Sequence, residues 1–396
     1  MATIKAFRAL HPNPFYADRL VFPGDELVFF FGIQQREFPL RPLKEELETP
    51  ARQRPETEEG QRAAYQAINA SLASLLELGR LQRDQQPGIY IYEIVHRDYR
   101  QTGIWALTDV RDPILLHEQT LADSERRIRN YREHTGLEGS PVLLTYEPSA
   151  AINRIIAETC AGDKKVTVGN KKSQHRIWQI RDPAILKQLT AAFREVDKVY
   201  MADGHHRLAA AAGSGGFISS LYLATDQLRI REYYRVVMPG QKIQPAGFLR
   251  KLREQFSVTP AGDNLPVRPA QPNSIGMCLD GQWFELMSPA AARNAALLLQ
   301  NKLLAPVFGI ADPRTDTRLK CIGGEFAMEE TLGVLKAVPE AIAFTLCPMT
   351  VAELIAAAGT GTILPPKSSW IDPKIPYGLL LVRHSTKTDT NLNHYD

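Results

Sequence analysis

Apolar side chains recur every three to four positions in several stretches of the chain, which is the spacing of an amphipathic helix. The clearest case is 59–81, where one face carries Ala64, Ile68, Leu72, Leu75 and Leu76. The same spacing, with N-cap residues and stopping glycines, predicts further helices. They span 124–134, 149–160, 183–196, 208–212, 246–255, 289–304 and 350–358.

Short runs rich in Ile, Val and Tyr predict strands between these helices. The runs span 27–31, 88–96, 103–107, 141–146, 199–202, 219–224, 233–238, 283–287, 341–346 and 377–382. The charged stretch 39–60, with its prolines and glycine, predicts a loop. Because helices and strands mix without regular βαβ repetition, we expect an α+β fold rather than a doubly wound sheet.

The composition is that of an ordinary folded protein and excludes some classes of function. Of 396 residues, 44% are hydrophobic, and 47 Lys+Arg balance 44 Asp+Glu to a net charge of +3. Disorder would need fewer apolar residues, and nucleic-acid binding is disfavoured because Lys and Arg are not concentrated in long runs. The chain shows no signal-peptide core and no apolar run long enough for a membrane helix, so we expect a cytoplasmic protein without a membrane partner.

The four cysteines are far apart in the sequence: Cys160, Cys278, Cys321 and Cys347. No two of them have the spacing of a zinc knuckle or a redox motif. We therefore expect a reducing compartment and mostly buried thiols.

The segment VYMADGHHRLAAAA (199–212) is the most informative for chemistry. A strand runs directly into Asp203, Gly204, His205, His206 and Arg207 and then into a helix. Gly204 permits a tight exit from the strand. The residues after it lie in the first helical turn, where unpaired backbone N–H groups and the helix dipole favour an anion. The histidines and the arginine add donors, so a phosphate is the natural ligand.

Two other interpretations of this segment are open to test. In the first, Asp203 is the N-cap and the basic residues are exposed surface residues without a ligand. The helix dipole disfavours basic side chains in the first turn. In the second, His205 and His206 bind a metal. Adjacent histidines point to different sides of a helix, so their spacing does not suit a shared metal.

A second segment, 115–136, places His117, Glu118 and Thr120 just before an arginine-rich helix. Glu118 is a candidate general base for a hydroxyl that attacks phosphorus, if its surroundings raise its pKa. The alternative is a loop followed by an exposed, salt-bridged helix.

A third segment, GTGTILPPKSSWIDPK (359–374), superficially resembles a phosphate-binding P-loop. Pro366 stands where that motif needs a glycine N–H, so we reject a Walker motif. Lys367 and Ser368 remain candidates for contact with a nucleotide. An extended proline-rich loop packed on the core explains the same residues.

A fourth segment, 310–324, carries charges of alternating sign. They belong to Asp312, Arg314, Asp316 and Arg318. Such residues either pair with one another or bind magnesium and phosphate oxygens. The sequence pattern is compatible with both.

Six short motifs together resemble a known bacterial family, domain of unknown function 1015 (DUF1015). They are HEQT (117–120), SPVLLTYEP (140–148), HRIW (175–178), ADGHHR (202–207), DPRTD (312–316) and PPKSSW (365–370). Within the chain, the glutamate, the "PV" strand and DGHHRLAA look like the core of the ParB/sulfiredoxin superfamily. That core uses a Gly-His-x-Arg turn to hold nucleotide phosphates.

The superfamily includes chromosome-partitioning CTPases, sulfiredoxins and free L-serine kinases, and the kinases are the nearest analogy because they share a His-Glu pair upstream of DGHHR. The resemblance implies ATP or ADP and Mg2+ as cofactors and L-serine as a partner. With the segments above, it assigns catalytic roles to Glu118, Asp203 and His205, and magnesium to Asp203 and Glu118. It assigns nucleotide contacts to Gly204, His206, Arg207, His117, Thr120, Lys367, Ser368 and Arg314.

The resemblance also predicts three parts in the chain. Residues 1–110 form an N-terminal α/β part, and 111–240 form the ParB-like nucleotide-binding core. Residues 241–396 form a C-terminal α/β part packed on that core. The gap between Glu118 and Asp203 is longer than the compact core needs, so a long insertion is expected at about 149–196.

The function implied first is a small-molecule kinase that makes O-phosphoserine from free L-serine. An alternative is a phosphatase on phosphoserine or a similar ester, in which Glu118 or His205 activates water. A third is a nucleotide-binding regulator of ParB type. The balanced charge and the lack of a basic helix-turn-helix segment disfavour a DNA-associated role.

Overall fold

The computed structural model describes residues 2–23, 40–53, 57–240 and 243–385. The strand expected at 27–31 lies outside them. The helices are α1 Ala17–Val21, α2 Leu43–Leu47, α3 Thr49–Arg52, α4 Glu58–Glu77, α5 Ala122–Thr135, α6 Ala150–Cys160, α7 Pro183–Arg194, α8 His205–Ala212, α9 Pro245–Leu252, α10 Ala295–Leu299, α11 Ala305–Phe308, α12 Ala327–Ala337 and α13 Val351–Thr360.

The strands are β1 Ile4–Lys5, β2 Leu10–Pro12, β3 Leu81–Arg83, β4 Ile89–His96, β5 Arg100–Asp109, β6 Ile114–Leu115, β7 Leu137–Glu138, β8 Val142–Tyr146, β9 Val166–Gly169, β10 Ser173–Ile180, β11 Val199–Asp203, β12 Phe217–Ala224, β13 Ile230–Arg231, β14 Tyr233–Val237, β15 Ser257–Pro260, β16 Ser274–Leu279, β17 Gln282–Met287, β18 Leu319–Gly323, β19 Ile342–Thr345, β20 Trp370–Ile371 and β21 Val382–Arg383. Helices and strands mix without βαβ repetition, which confirms the α+β class.

The chain forms two compact units. Unit 1 comprises Met1–Ile114, Thr120–Gln227 and Lys374–Asp396, and unit 2 comprises Leu115–Gln119 and Leu228–Pro373. Each unit contains its own sheet and its own buried apolar clusters.

Unit 1 is built on a sheet in the order β11-β8-β12-β5-β4-β10-β9, with β1 beside β5. The β12–β8 pair is parallel, and the other pairs for which a register is given are antiparallel. Helices α6 and α7 contribute Ile152, Leu189 and Phe193 to the main core. The carboxyl end of β11 is thereby fixed in a sheet with a well-packed core.

Unit 2 is built on an antiparallel sheet in the order β15-β17-β16-β19-β14-β18. Neighbouring residues of β14 face opposite sides, as the strand period requires. Val237 packs with residues of α9 and α10, whereas Val236 packs with α12. Both faces of the sheet are therefore covered, which explains its continuous apolar strands.

The prediction of a loop over 39–60 is wrong for the described residues of that stretch. That stretch forms α2 and α3 instead. Leu43 and Leu47 are fully buried against α4 residues such as Ile68 and Leu72. Tertiary burial of these two leucines outweighs the charged composition of the segment.

Two other expected elements have different bounds. The helix expected over 289–304 begins only at Ala295, because Asn294 caps it, and it continues through a π-helical turn to Phe308. The strand expected over 377–382 is reduced to Val382–Arg383, and the chain turns at Gly378, which has a φ of 89°.

The boundaries of the three expected parts also differ from the two units. Strand β5 pairs with β12, so residues on both sides of position 110 share one sheet. Strands β9 and β10 lie in the segment expected to be an insertion, and they extend that same sheet through β4. Long-range strand pairing of this kind has no signal in local patterns.

The four cysteines are free thiols: Cys278 is buried and the other three are half-buried. Burial raises the pKa of the Cys278 thiol to about 11. Among the described helices, none combines the length and apolar character needed to cross a bilayer.

Candidate functional site

The turn at the end of β11 is formed as the sequence predicts. Gly204 has φ 102° and ψ 25°, a left-handed conformation, and α8 starts at the next residue. The Gly204 carbonyl accepts the N–H of Arg207 at 2.8 Å and that of Leu208 at 3.1 Å. Gly204 is therefore the N-cap, and the alternative with Asp203 as N-cap is wrong.

The first turn of α8 carries the predicted basic residues. His205 is buried, with 7% of its surface exposed, and His206 and Arg207 are half-buried. Backbone N–H groups at the start of a helix carry partial positive charge, and no acidic side chain lies in this first turn. The turn thus has the electrostatic character of an anion site.

The Arg207 guanidinium is turned toward the chain that precedes β8. Its Nη1 donates to the carbonyl of Ser140 at 2.9 Å and to that of Pro141, and its Nη2 lies 3.5 Å from Asp203 Oδ2. A Cβ on Gly204 would approach Arg207 Nη2 to 2.9 Å. In this arrangement Arg207 holds the turn in place.

Asp203 has a second cationic neighbour that the sequence reasoning missed. Lys374 Nζ lies 3.3 Å from Asp203 Oδ2, and the two side chains are 42% and 39% exposed. Lys374 closes the segment GTGTILPPKSSWIDPK that was considered for phosphate binding. The sequence pattern singled out Lys367 of this segment, whereas the residue beside Asp203 is Lys374.

The other predicted ligands, except Thr120, lie in unit 2. His117 is fully buried, and its carbonyl accepts the N–H of Leu364 at 2.9 Å. Glu118 forms an isolated parallel bridge with the same Leu364. Thr120 belongs to unit 1, where its hydroxyl donates to Glu125 in the first turn of α5.

Arg314 shows the self-paired arrangement. Its Nε and Nη2 donate to the two carboxylate oxygens of Asp312, each at 2.8 Å. These hydrogen bonds lower the pKa of Asp312 to about 2. Nη1 of Arg314 donates to Gln119 at 2.9 Å, which brings DPRTD next to HEQT. An anion at Arg314 would compete with these partners.

The loop with Lys367 and Ser368 is held by a buried arginine. Arg235 is 2% exposed, and its Nη2 donates to the carbonyls of Pro366 at 2.9 Å and Lys367 at 3.0 Å. The Ser368 hydroxyl donates to the Pro365 carbonyl at 2.6 Å. This is the proline-rich loop packed on the core that was one of the two interpretations.

The predicted residues thus form two groups. Unit 1 brings together Asp203, Gly204, His205, His206 and Arg207 and adds Lys374. Unit 2 joins the HEQT, DPRTD and PPKSSW motifs through hydrogen bonds of Gln119, Leu364 and Arg235.

Asp203 suits a magnesium ion only if phosphate oxygens of a nucleotide supply further ligands. In the described part of the chain, no three His, Cys, Asp or Glu side chains are grouped as a metal site. Asp203 is one carboxylate with two cations beside it. Magnesium is commonly held by one or two carboxylates plus substrate phosphates, and Asp203 suits that role.

A sequence model of the family described as "Protein of unknown function (DUF1015)" matches residues 46–305, more than half of the chain. Among solved structures, a mutant free serine kinase in complex with ADP is similar at 13% identity and a TM-score of 0.40, over 69% of this chain and 92% of that chain. A conserved hypothetical protein from Pyrococcus furiosus is similar at 13% identity and a TM-score of 0.38, over 69% and 93%. SbnI with a C-terminal truncation, from Staphylococcus aureus, is similar at 12% identity and a TM-score of 0.39, over 69% and 87%. No curated protein sequence matches the chain.

Proposed function

The chain belongs to the DUF1015 family, and we propose that this member is a small-molecule kinase that transfers phosphate from ATP or ADP to a hydroxyl group. Free L-serine is the first candidate acceptor, and O-phosphoserine is the product. The observation that carries the proposal is the turn of residues 203–207, a left-handed glycine that leads into a basic first helical turn. A ParB/sulfiredoxin-like core around that turn is part of the proposal.

Phosphoryl transfer depends on positioning and on stabilising charge, so the proposal gives each residue one of these tasks. The N–H groups that follow Gly204, together with His205 and His206, hold phosphate oxygens. Arg207 fixes the turn through the carbonyls of Ser140 and Pro141. Magnesium, when bound with the nucleotide, neutralises phosphate charge, and Asp203 is its proposed ligand.

Glu118 is the proposed base, and it takes the proton of the substrate hydroxyl as the oxygen attacks phosphorus. The bond between that phosphorus and the bridging oxygen of the nucleotide breaks, and the shortened nucleotide leaves with the electron pair. The backbone at Glu118 is fixed in unit 2 by its bridge to Leu364. Its role remains a prediction, which substitution can test on its own.

The test is phosphorus NMR on the purified full chain with magnesium, L-serine and either ATP or ADP. We expect O-phosphoserine to accumulate. Glu118→Gln is expected to lower turnover at least about a hundredfold, the usual contribution of a general base. Glu158→Gln, at an exposed position of α6, is the matched control and is expected to keep wild-type turnover.

Two results would contradict the kinase. One is a chain that binds nucleotide but forms no phosphoserine. The other is release of phosphate from O-phosphoserine without any nucleotide, which would identify a phosphatase instead. Unchanged turnover in Glu118→Gln would remove Glu118 from the mechanism without contradicting the kinase activity itself.

A further inference from the structure

The end of the described chain returns to unit 1 and lies along the segment that precedes β8. Strand β21 pairs with β7, so Val382 lies opposite Glu138 and Arg383 opposite Leu137. The N–H of His384 donates to the carbonyl of Gly136 at 2.8 Å. We call residues 374–384 the C-terminal strap.

A buried charge cluster anchors the far end of the strap. Glu138 Oε1 lies 3.0 Å from Arg132 Nε and 3.1 Å from His384 Nε2, and Glu138 Oε2 accepts the N–H of Ser219 at 2.7 Å. Burial alone would raise the pKa of Glu138, but His384, Arg132 and the Ser219 N–H together hold it below its usual range. Glu138 therefore stays charged at neutral pH and fixes His384.

The middle of the strap lies next to the residues whose carbonyls accept hydrogen bonds from Arg207. The N–H of Gly378 donates to the Gly139 carbonyl at 2.8 Å. A Cβ on Gly139 would come within 2.0 Å of the Tyr377 ring, so only glycine allows this approach. Gly139 directly precedes Ser140 and Pro141, whose carbonyls bind Arg207.

The near end of the strap brings Lys374 to the turn. Its ammonium is 3.3 Å from Asp203, and the side chain is 42% exposed. Arg207, which also lies beside Asp203, already donates to two backbone carbonyls. A lysine ammonium is a compact charge on a flexible stem, so Lys374 can contact Asp203 and an entering phosphate together.

We infer that Lys374 is a phosphate-binding residue of the turn, supplied by the C-terminal strap. The inference rests on the proposed function in one respect, that the turn of residues 203–207 binds phosphates. It adds an exposed positive charge to a turn whose arginine has a positioning role. It also gives the strap a function, because the contacts between Tyr377 and His384 fix the backbone position from which the Lys374 side chain extends.

The experiment is isothermal titration of the full chain with inorganic pyrophosphate and with ADP at low salt. Lys374→Ala is expected to weaken both affinities about tenfold, because a charge-assisted contact is lost. Lys374→Arg is expected to restore most of the affinity. Lys187→Ala, at an exposed position of α7, is the matched control and is expected to bind as the wild type does.

Two further readouts separate ligand binding from a structural role. Thermal unfolding without ligand is expected to stay nearly unchanged in Lys374→Ala, since an exposed ion pair adds little stability. Raising the salt concentration is expected to weaken wild-type binding more than variant binding, because screening acts on the charge that the variant lacks. Lys374→Gln keeps two of the four methylene groups of the stem, removes the charge and replaces the alanine variant if that one fails to fold.

The titrations have three outcomes, and each supports or overturns the role of Lys374. Equal pyrophosphate affinity in the wild type and Lys374→Ala overturns the inference and leaves the kinase proposal intact. A wild type that binds neither pyrophosphate nor ADP overturns both. Weaker binding that arginine restores supports the inference, even if no phosphoserine is ever formed.

Discussion

Gly204 has a backbone conformation that a side chain would disturb in two ways. Its φ of 102° lies where residues with a Cβ are strained, and an added Cβ would meet Arg207 Nη2 at 2.9 Å. We predict that Gly204→Ala lowers the free energy of unfolding by about 1–3 kcal/mol. It is also expected to reduce ADP binding strongly, because Arg207 must move. Denaturant unfolding and calorimetric titration measure the two effects.

Gly216 provides the matched control for this prediction. Its φ of 89° is also positive, but an added Cβ has no heavy atom within 4 Å. Gly216→Ala is therefore expected to show the backbone cost alone, about 1–2 kcal/mol, with ADP affinity retained. If Gly204→Ala binds ADP as tightly as Gly216→Ala, the contact between Gly204 and Arg207 is irrelevant to the ligand.

At the same scale, the sequence identified residue types better than it identified partners. The order strand, glycine, basic helix start is local, and it placed the turn of residues 203–207 correctly. The partners of Arg207 and Arg314 are backbone carbonyls and Asp312, and only the folded chain reveals that choice. Lys374 could not be assigned to Asp203 from sequence, since a long segment and a whole unit separate them.

Elements with a strong local signal were predicted, and elements defined by distant contacts were not. Helix α4 has a regular apolar face and a Thr57 cap, and it was placed within a few residues. Strand β16 is buried along its whole length yet was not expected, because it depends on its neighbours β17 and β19. Helix α2 was missed because the burial of its leucines is decided by α4.

Arg235 links two elements of unit 2, strand β14 and the loop of residues 365–368. Its guanidinium donates to carbonyls on both, and it is almost fully buried. A lysine has a single nitrogen and cannot serve both sets of carbonyls. We predict that Arg235→Lys lowers the free energy of unfolding by about 1.5–3 kcal/mol or more. Hydrogen exchange at the loop is expected to accelerate in the same variant.

Arg268→Lys is the control for this substitution. Arg268 is 58% exposed and lies 3.6 Å from Glu232, so the change should cost less than about 1 kcal/mol. Denaturant unfolding with exchange mass spectrometry measures both variants. Unchanged exchange at residues 365–370 in Arg235→Lys would show that the loop does not depend on this arginine.

On the scale of the whole molecule, the path of the chain sets the limits of sequence reasoning. Residues 115–119 and 228–373 build one unit, and the strands before, between and after them build the other. Local periodicity predicts helices and strands, but it carries no information about which segments share a core. The expected boundaries near 110 and 240 came from the resemblance to a compact core, whereas the two units follow strand pairing.

The separate cores lead to a prediction about cooperativity. Leu144 lies in the main core of unit 1 and Leu286 in a core of unit 2, and both are fully buried. Replacing either by alanine is expected to cost about 2–5 kcal/mol. Because the two cores share no residue, scanning calorimetry is expected to show two transitions. Leu144→Ala should lower one of them and Leu286→Ala the other.

The ligand provides an internal control for this assignment. If ADP binds at the turn of residues 203–207, as proposed, it stabilises the unit that contains the turn and should raise the transition that Leu144→Ala lowers. The transition that Leu286→Ala lowers should stay where it is. A single transition that both variants lower equally, and that ADP raises, would show that the two units unfold as one cooperative body. The turn of residues 203–207 would then draw its stability from both cores, and Leu286→Ala would lower the temperature at which the turn unfolds as much as Leu144→Ala does.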